Sequence, residues 1–522
     1  MDFLFKLGGS GYLGRVFIRR KVNRSGSISV HLFRKEGQHQ IHVKSIGSGS
    51  TAEEIKNLER EARLEIERLV LQQGLELLYE QDKKFIDTFT RSLRKIEVVG
   101  YELILGKLFK EIGFDVVRDD LFRHLVLSRI SHPGSKLKTI NYLQEHHSLF
   151  FDMDAVYRYL DKLSNHKSIL QDVSYRHTLT LFKNSIQLLF YDVTTLYFEA
   201  EDEDDLRKTG FSKDGKAQHP QILLGLLVSP QGYPLSFEMF EGNKFEGKTM
   251  IPVVEAFTAK YAFAQAVIVA DAGLLSLENM DELIRLKYQF ILGGRIKNES
   301  KVLKSQIMAL KLKDQIHTLI RPDGLKLIVS HSSIRATKDR SNRVKGLHRL
   351  EKAIRLGKLS KKHINNRGYN KYLKLEGQIT VQIDYEKFNQ DAQWDGLKGY
   401  LTNATLSQQE VVNNYKHLWH IEKAFRISKT DLKIRPIYHR LKHRIECHLI
   451  IAFCSYKLYK ELERQLAEKK VGISVEKAIR LMQSIFAVEM QLPDSGKTTR
   501  ILHVKTDDHR QLLKAFSIDL IN

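Results

Sequence analysis

Apolar positions alternate in three short runs near the start of the chain: Gly14-Arg-Val-Phe-Ile-Arg19, Ser27-Ile-Ser-Val-His-Leu-Phe33 and Gln40-Ile-His-Val-Lys-Ser-Ile46. Period-two runs punctuated by Gly and Ser predict a small antiparallel sheet over residues 1–50. The period then lengthens. Ile55, Leu58, Ala62, Ile66 and Leu69 recur at helical spacing behind Thr51-Ala-Glu-Glu, a helix start with acids in its first turn. One long charged helix is expected over 51–95. Residues 96–185 alternate helical patterns with breaks such as Ser131-His-Pro-Gly-Ser135, which predicts a helical, DNA-binding domain. From Ile186 the pattern turns to strands: Ile186 to Tyr191, Ile222 to Val228, a turn at Pro230-Gln-Gly232, and Pro234 to Phe240. A helix over about 248–260, the run Ala266 to Ala270, a helix capped by Ser276 and the run Tyr288 to Leu292 complete the series. After 431 the pattern is mainly helical.

Charge changes the picture. The 522 residues carry a net charge of +22, which favours a polyanionic partner, nucleic acid or anionic membrane. The longest apolar run, Leu449 to Cys454, is far below the roughly 18–20 residues of a span, so no membrane is expected. The opening Met1-Asp-Phe-Leu-Phe-Lys lacks a secretory pattern, and an intracellular protein is expected. Only Cys447 and Cys454 are present, so neither a disulfide framework nor a Cys-type zinc site is expected near His439, His443 and His448. The Lys6 to Gly14 stretch lacks the Lys-Ser/Thr ending of a phosphate loop. Between Arg335 and Lys374 stand fourteen Lys/Arg against Asp339 and Glu351. That basic insertion, residues 295–395, is expected on DNA, with Arg340, Arg343, Lys345 and Arg349 as candidate contacts. The first sheet has a basic face too: Arg15, Arg19, Arg20, Lys21, Arg24, Arg34, Lys35 and Lys44.

Candidate chemistry rests on three carboxylates. Asp192 and Asp271 each end an apolar strand-like run, and Glu422 lies in Tyr415 to Lys429, which has no Pro or Gly and reads as one helix. Two strand-end carboxylates and one on a later helix suit a pair of metal ions that stabilise attacking and leaving oxygens in phosphodiester cleavage. Three antiparallel strands, then helix, strand, helix, strand is the RNase H-like order. The fold class expected is multidomain α/β, an RNase H-like core in two parts, 186–294 and 396–455, with a helical region at 456–522.

These residues resemble the bacterial insertion-sequence transposases that have an Asp-Asp-Glu triad and a subdomain inserted before the Glu. The resemblance is carried by Phe190-Tyr-Asp-Val-Thr-Thr195, Gly210-Phe-Ser-Lys-Asp-Gly-Lys216, His219-Pro-Gln-Ile222, Val269-Ala-Asp-Ala-Gly-Leu-Leu275, Ile421 to Lys429, and Arg435-Pro-Ile-Tyr-His-Arg440 with Arg444 and His448. It implies catalysis and metal binding by Asp192, Asp271 and Glu422, with two Mg²⁺ ions that Mn²⁺ can replace. It also implies binding of transposon terminal inverted repeats and target DNA, a homodimer in the active complex, and a bacterial cytoplasmic, nucleoid-associated location. The family's helix motif is Tyr, two residues, Arg, three residues, Glu, six residues, Lys. Tyr415, Glu422 and Lys429 fit it, while Leu418 stands at the Arg position. Arg426, one turn after Glu422, is the substitute cation. Tyr415, Arg426, Lys429, Arg435, Lys213 and Lys216 join the candidate DNA contacts. Two rival readings remain at this point: a transposase-derived DNA-binding protein without catalysis, and a metal-dependent nuclease that cuts without joining.

Overall fold

In a computed structural model, residues 16–183, 186–212, 215–261, 266–310, 313–365, 368–376 and 380–519 are described; Arg15, Lys213 and the Lys6 to Gly14 stretch lie outside them. The chain divides into two compact units, Met1–Ile96 with Val488–Ile501, and Glu97–Ala487 with Leu502–Ile521.

In the first unit the alternating runs form β1 (Val16–Val22), β2 (Ile28–Glu36) and β3 (His39–Gly49), antiparallel in that order. Every second side chain faces one side of a strand, so Val30 and Leu32 bury together against Leu58, Ala62 and Ile66 of α1 (Ala52–Ser92). The helix begins at a reciprocal cap: Thr51 accepts from the Glu54 amide, and the Glu54 carboxylate accepts from the Thr51 amide at 3.0 Å. Part of the basic face is spoken for. Arg20 pairs with Glu59, and Lys44 with Glu65 at 2.7 Å. A further sheet joins β4 (Leu93–Val98) to two strands near the chain end, β15 (Phe486–Gln491) and β16 (Thr498–His503). Those two strands interrupt a stretch whose patterning predicts helix.

The second unit opens with five helices: α2 (Lys107–Ile112), α3 (Asp120–Ser131), α4 (Lys136–His147), α5 (Met153–Leu163) and α6 (Lys167–Leu181). α2, α3, α5 and α6 pack against α14 (Lys442–Glu468) and α4 packs on α3 and α5, and their apolar faces share one core with a face of the central sheet. That sheet has eight strands. Its first part is β5 (Leu188–Tyr197), β6 (Gln221–Val228), β7 (Pro234–Glu241), α7 (Met250–Tyr261), β8 (Val267–Ala270), α8 (Leu277–Arg285) and β9 (Gln289–Gly294). This is the expected order: β5, β6 and β7 run antiparallel, while β5–β8 and β8–β9 are parallel.

The inserted segment extends the same sheet, which its charge pattern hides. After α9 (Lys301–Ala309), β10 (Ile316–Ile320) and β11 (Lys326–His331) pair outward from β14 (Leu397–Thr402), giving the order β10-β11-β14-β9-β8-β5-β6-β7. Between β11 and β14, α10 (Ser333–Arg355), the hairpin of β12 (Leu373–Glu376) and β13 (Thr380–Ile383), and α11 (Tyr385–Asp391) close on a small core of Leu350, Tyr372, Val381 and Phe388. The chain continues through α12 (Gln408–Lys416), α13 (Trp419–Thr430), α14, α15 (Val475–Met482) and α16 (Asp507–Ala515). Alternation gives the sheet two different faces. Tyr191, Leu227 and Ile268 pack with α7 and α8, whereas Phe190, Leu226, Val269 and Ile291 pack with α12, α13 and α14.

Candidate active site

Parallel pairing of β5 with β8 ends at Tyr191–Ala270, so Asp192 and Asp271 are the next residues of two neighbouring strands. Tyr191 and Ala270 are buried with α7 and α8; the residues after them project to the opposite face, the one covered by α12 and α13. Asp192 does not end its strand, as the apolar run predicts. β5 runs on to Tyr197 beside β6, and Asp192 stands where the parallel neighbour stops. Asp192 is half-buried, and Asp271 and Glu422 are exposed.

The expected single helix from Tyr415 to Lys429 is two. It breaks between α12 and α13, where Leu418, the residue at the family's Arg position, is buried in the elbow. Tyr415 and Glu422 therefore come from different helices. The Tyr415 hydroxyl donates to Asp271 Oδ1 at 3.3 Å. Burial and the adjacent Asp271 carboxylate push this phenol far above its ordinary pKa, so it stays a proton donor. Gly293 of β9 makes the approach possible: a Cβ there would lie 2.5 Å from the Tyr415 hydroxyl. Arg295 donates to the Ala272 carbonyl at 2.7 Å and fixes the turn behind Asp271.

Sequence reasoning missed Lys398. On β14, its ammonium lies 4.3 Å from the centre of the Tyr415 ring and 5.6 Å from that of Tyr400. Burial and Arg335 lower its pKa, while Asp271 and Glu422 hold it up. A cation thus already sits in the field of two of the three carboxylates. No local signal marks it, because its place depends on β14 pairing with β9.

The donors fit the metal that the resemblance implies. Carboxylate oxygens suit Mg²⁺, which keeps several waters and is held by one or two carboxylates plus substrate phosphates. Among the described residues no group of three or more His, Cys, Asp or Glu side chains is positioned to enclose one ion, and Mg²⁺ held in this way does not require such a cage.

The remaining candidates fall into three places. Arg426 is exposed and Lys429 half-buried on α13, with Glu422. Lys216 and Arg435 lie over one ring, Tyr197 at the end of β5, at 5.6 and 5.9 Å. Arg340, Lys345 and Arg349 are exposed on α10. Arg343 does not belong with them. It is mostly buried, pairs with Asp395 at 2.5 Å and lies over the Phe388 ring, because its position on α10 faces the small core.

A family model described as Transposase DDE domain matches residues 183–458, more than half of the chain. Among solved structures, a piggyBac transposase synaptic complex with hairpin DNA is 10% identical, covers 74% of this chain and 78% of its own, and superposes at a TM-score of 0.36. A Mos1 transposase paired-end complex with left transposon end is 13% identical over 35% of this chain and 57% of its own, at a TM-score of 0.15. A Mos1 mariner paired-end complex with Mn is 15% identical with the same coverage and TM-score. No curated protein matches the chain significantly. With the family model spanning both aspartates, the Glu422 helix and most of α14, the protein belongs to the DDE transposase family.

Proposed function

We propose that this protein is an insertion-sequence transposase that binds the ends of its element, hydrolyses a phosphodiester there and joins the freed 3′-OH to target DNA. The observation that carries the reading is the β5–β8 register, which sets Asp192 beside Asp271 on the sheet face that α13 covers. Asp192, Asp271 and Glu422 would hold a pair of Mg²⁺ ions, with Mn²⁺ as a substitute; when bound, the metals supply charge stabilisation for the attacking and leaving oxygens.

The chain's own groups orient and neutralise. Tyr415 holds the Asp271 carboxylate by donating to Oδ1. Lys398 neutralises Asp271 and Glu422 before substrate arrives, and offers a phosphate an ammonium when it does. Lys429, two turns along from Glu422 or about 10 Å, grips the end DNA rather than taking part in the chemistry. Arg426 takes the role left open at Leu418. Lys216 and Arg435 flank the strand path at the end of β5, and the exposed cations of α10 follow the backbone of the duplex. A homodimer is supported by α1, which exposes Leu71, Tyr79, Phe85, Ile86 and Phe89.

A donor duplex carrying the DNA that flanks the gene, incubated with a target plasmid and Mg²⁺, tests this directly. The expected products are 3′-OH ends and covalent donor–target joints. Cutting without joints would make the protein a nuclease, and binding with neither product would make it a DNA-binding protein of transposase descent.

A further inference from the structure

Away from the carboxylates, a cavity of about 450 Å³ opens between α3, the start of α4, α5 and the segment that follows α13. Its cationic lining is Arg129, Lys136, Lys138, Lys433 and Arg435, with the imidazoles of His439 and His448 beside them; no lining residue is acidic. Arg129 and Lys136 are only 4% and 5% exposed. Arg129 donates to the Gly134 carbonyl at 2.9 Å, and no carboxylate is found paired with it among the described residues. For the Lys136 side chain no hydrogen bond or ion pair is found among the described residues. Lys136 also opens α4, a helix of 12 residues capped by Ser135, so the positive end of that helix adds to the same field.

Holding Arg129 and Lys136 out of water without an anion is unfavourable. The strain is visible in the groups themselves. Burial brings Arg129 down to about 10; burial and then Arg129 push Lys136 well below its ordinary value; burial, Lys136, Arg444 and Arg129 bring His439 down to about 4. A basic pair outside the cavity, Arg444 and His443, is already taken by Asp161. A tetrahedral, multiply charged anion with several acceptor oxygens is what this lining lacks.

The cavity also has an address. Ile437, in the segment that forms one wall, bridges in parallel to Phe198 at the end of β5. Asp192 is six residues back along that strand, about 20 Å at 3.3 Å per residue, or about six base-pair steps of duplex. β5 is itself buried from Val193 to Leu196, so it serves only as a ruler: a DNA strand that passes over the surface parallel to it, with one phosphate at the carboxylates, would bring another of its phosphates to this cavity.

We propose that the cavity around Lys136 and Arg129 is a phosphate-binding site that takes a backbone phosphate of the DNA strand about six base pairs from the scissile one. Naming DNA as the source rests on the transposase reading; phosphate binding does not. The first arm of the test measures the melting temperature of the full chain in sodium phosphate against sodium chloride at equal ionic strength. Wild type is expected to gain stability in phosphate. Lys136→Met is expected to melt higher than wild type in chloride, since it removes a buried unmatched charge, and to lose the phosphate response. The second arm measures duplex affinity against salt, where Lys136→Met should lower the slope of log K on log salt by about 0.9, a 3- to 4-fold smaller loss between about 50 and 200 mM. Lys433→Gln at the exposed rim repeats both arms if Lys136→Met does not fold: the phosphate response and the salt slope should fall in the same directions, with no gain in chloride. No phosphate response in wild type, or an unchanged response in both variants, overturns the site. A response lost in the variants with the DNA slope unchanged overturns the DNA assignment and leaves a pocket for a free phosphate compound. Neither arm requires cleavage, so failure here is distinct from failure of the triad.

Discussion

Neutralising one stripe of α10 puts the DNA-contact reading in numbers. Lys338, Lys345, Arg349 and Lys352 are all exposed, and at about 100° per residue they fall within about 40° of a single line along the helix. From the first to the last is about 21 Å, long enough to follow several phosphates of one strand. Arg343 sits on the same helix but faces the small core, bound to Asp395 and Phe388, and serves as the internal control. If each stripe cation releases one counterion, Lys338→Gln, Lys345→Gln, Arg349→Gln and Lys352→Gln together lower the salt slope by about 3.6, four times about 0.9. Between about 50 and 200 mM salt this amounts to about 2.2 logarithmic units, so wild type should lose about 150-fold more affinity than the quadruple variant. Anisotropy titration of a labelled end duplex at four salt concentrations reads the slope. Arg343→Gln should keep the wild-type slope and destabilise the protein instead. Its cost should be about 2 kcal/mol, below the roughly 3–5 of a fully buried pair because water screens part of it. A quadruple variant with the wild-type slope would refute the reasoning, and a lowered slope in Arg343→Gln would show that its ion pair opens to DNA.

Four further substitutions separate the roles assigned around the carboxylates. Tyr415→Phe removes a hydrogen bond to Asp271 worth about 1 kcal/mol, so single-turnover cleavage should slow about 5-fold with end binding intact; an unchanged rate would show that Tyr415 does not hold Asp271 in the reactive state. Lys398→Met removes the ammonium that competes for Asp271 and Glu422, so half-maximal cleavage should need several-fold less Mg²⁺; a higher requirement would mean that Lys398 helps to load the metal. Lys429→Ala should weaken end binding and slow cleavage in proportion, recovering at higher protein concentration, and Arg426→Ala should be the more damaging of the two. Full binding with complete loss of cleavage in Lys429→Ala would put that side chain in the chemical step.

Much of the core can be read from local pattern, because β5, β6, β7 and β8 are runs long and apolar enough to declare themselves. Ser276 and Thr51 announce helix starts through hydrogen bonds made within four residues. What escapes the sequence depends on distant partners. β10 and β11 lie beside the most basic stretch of the chain, and only their pairing onto β14 makes them strands of the main sheet. Tyr415 to Lys429 has no helix breaker, yet burial of Leu418 bends it, and packing overrides propensity. That bend is what turns Tyr415 toward Asp271. Arg343 and Lys398 show the same limit from opposite sides. Composition made the first a DNA contact, where the small core claims it; no motif marked the second, where strand pairing brings it to the carboxylates.

The central claim is that Asp192, Asp271 and Glu422 act together as the site of strand cleavage. Asp192→Asn, Asp271→Asn and Glu422→Gln, each purified and tested on the same end duplex with Mg²⁺, measure it most directly, with binding and cutting read in parallel. Each variant should bind the end with nearly wild-type affinity, because none removes a cation, and each should yield no detectable nicked strand in Mg²⁺. Cleavage near the wild-type rate by any one of the three would remove that residue from the site and contradict the account.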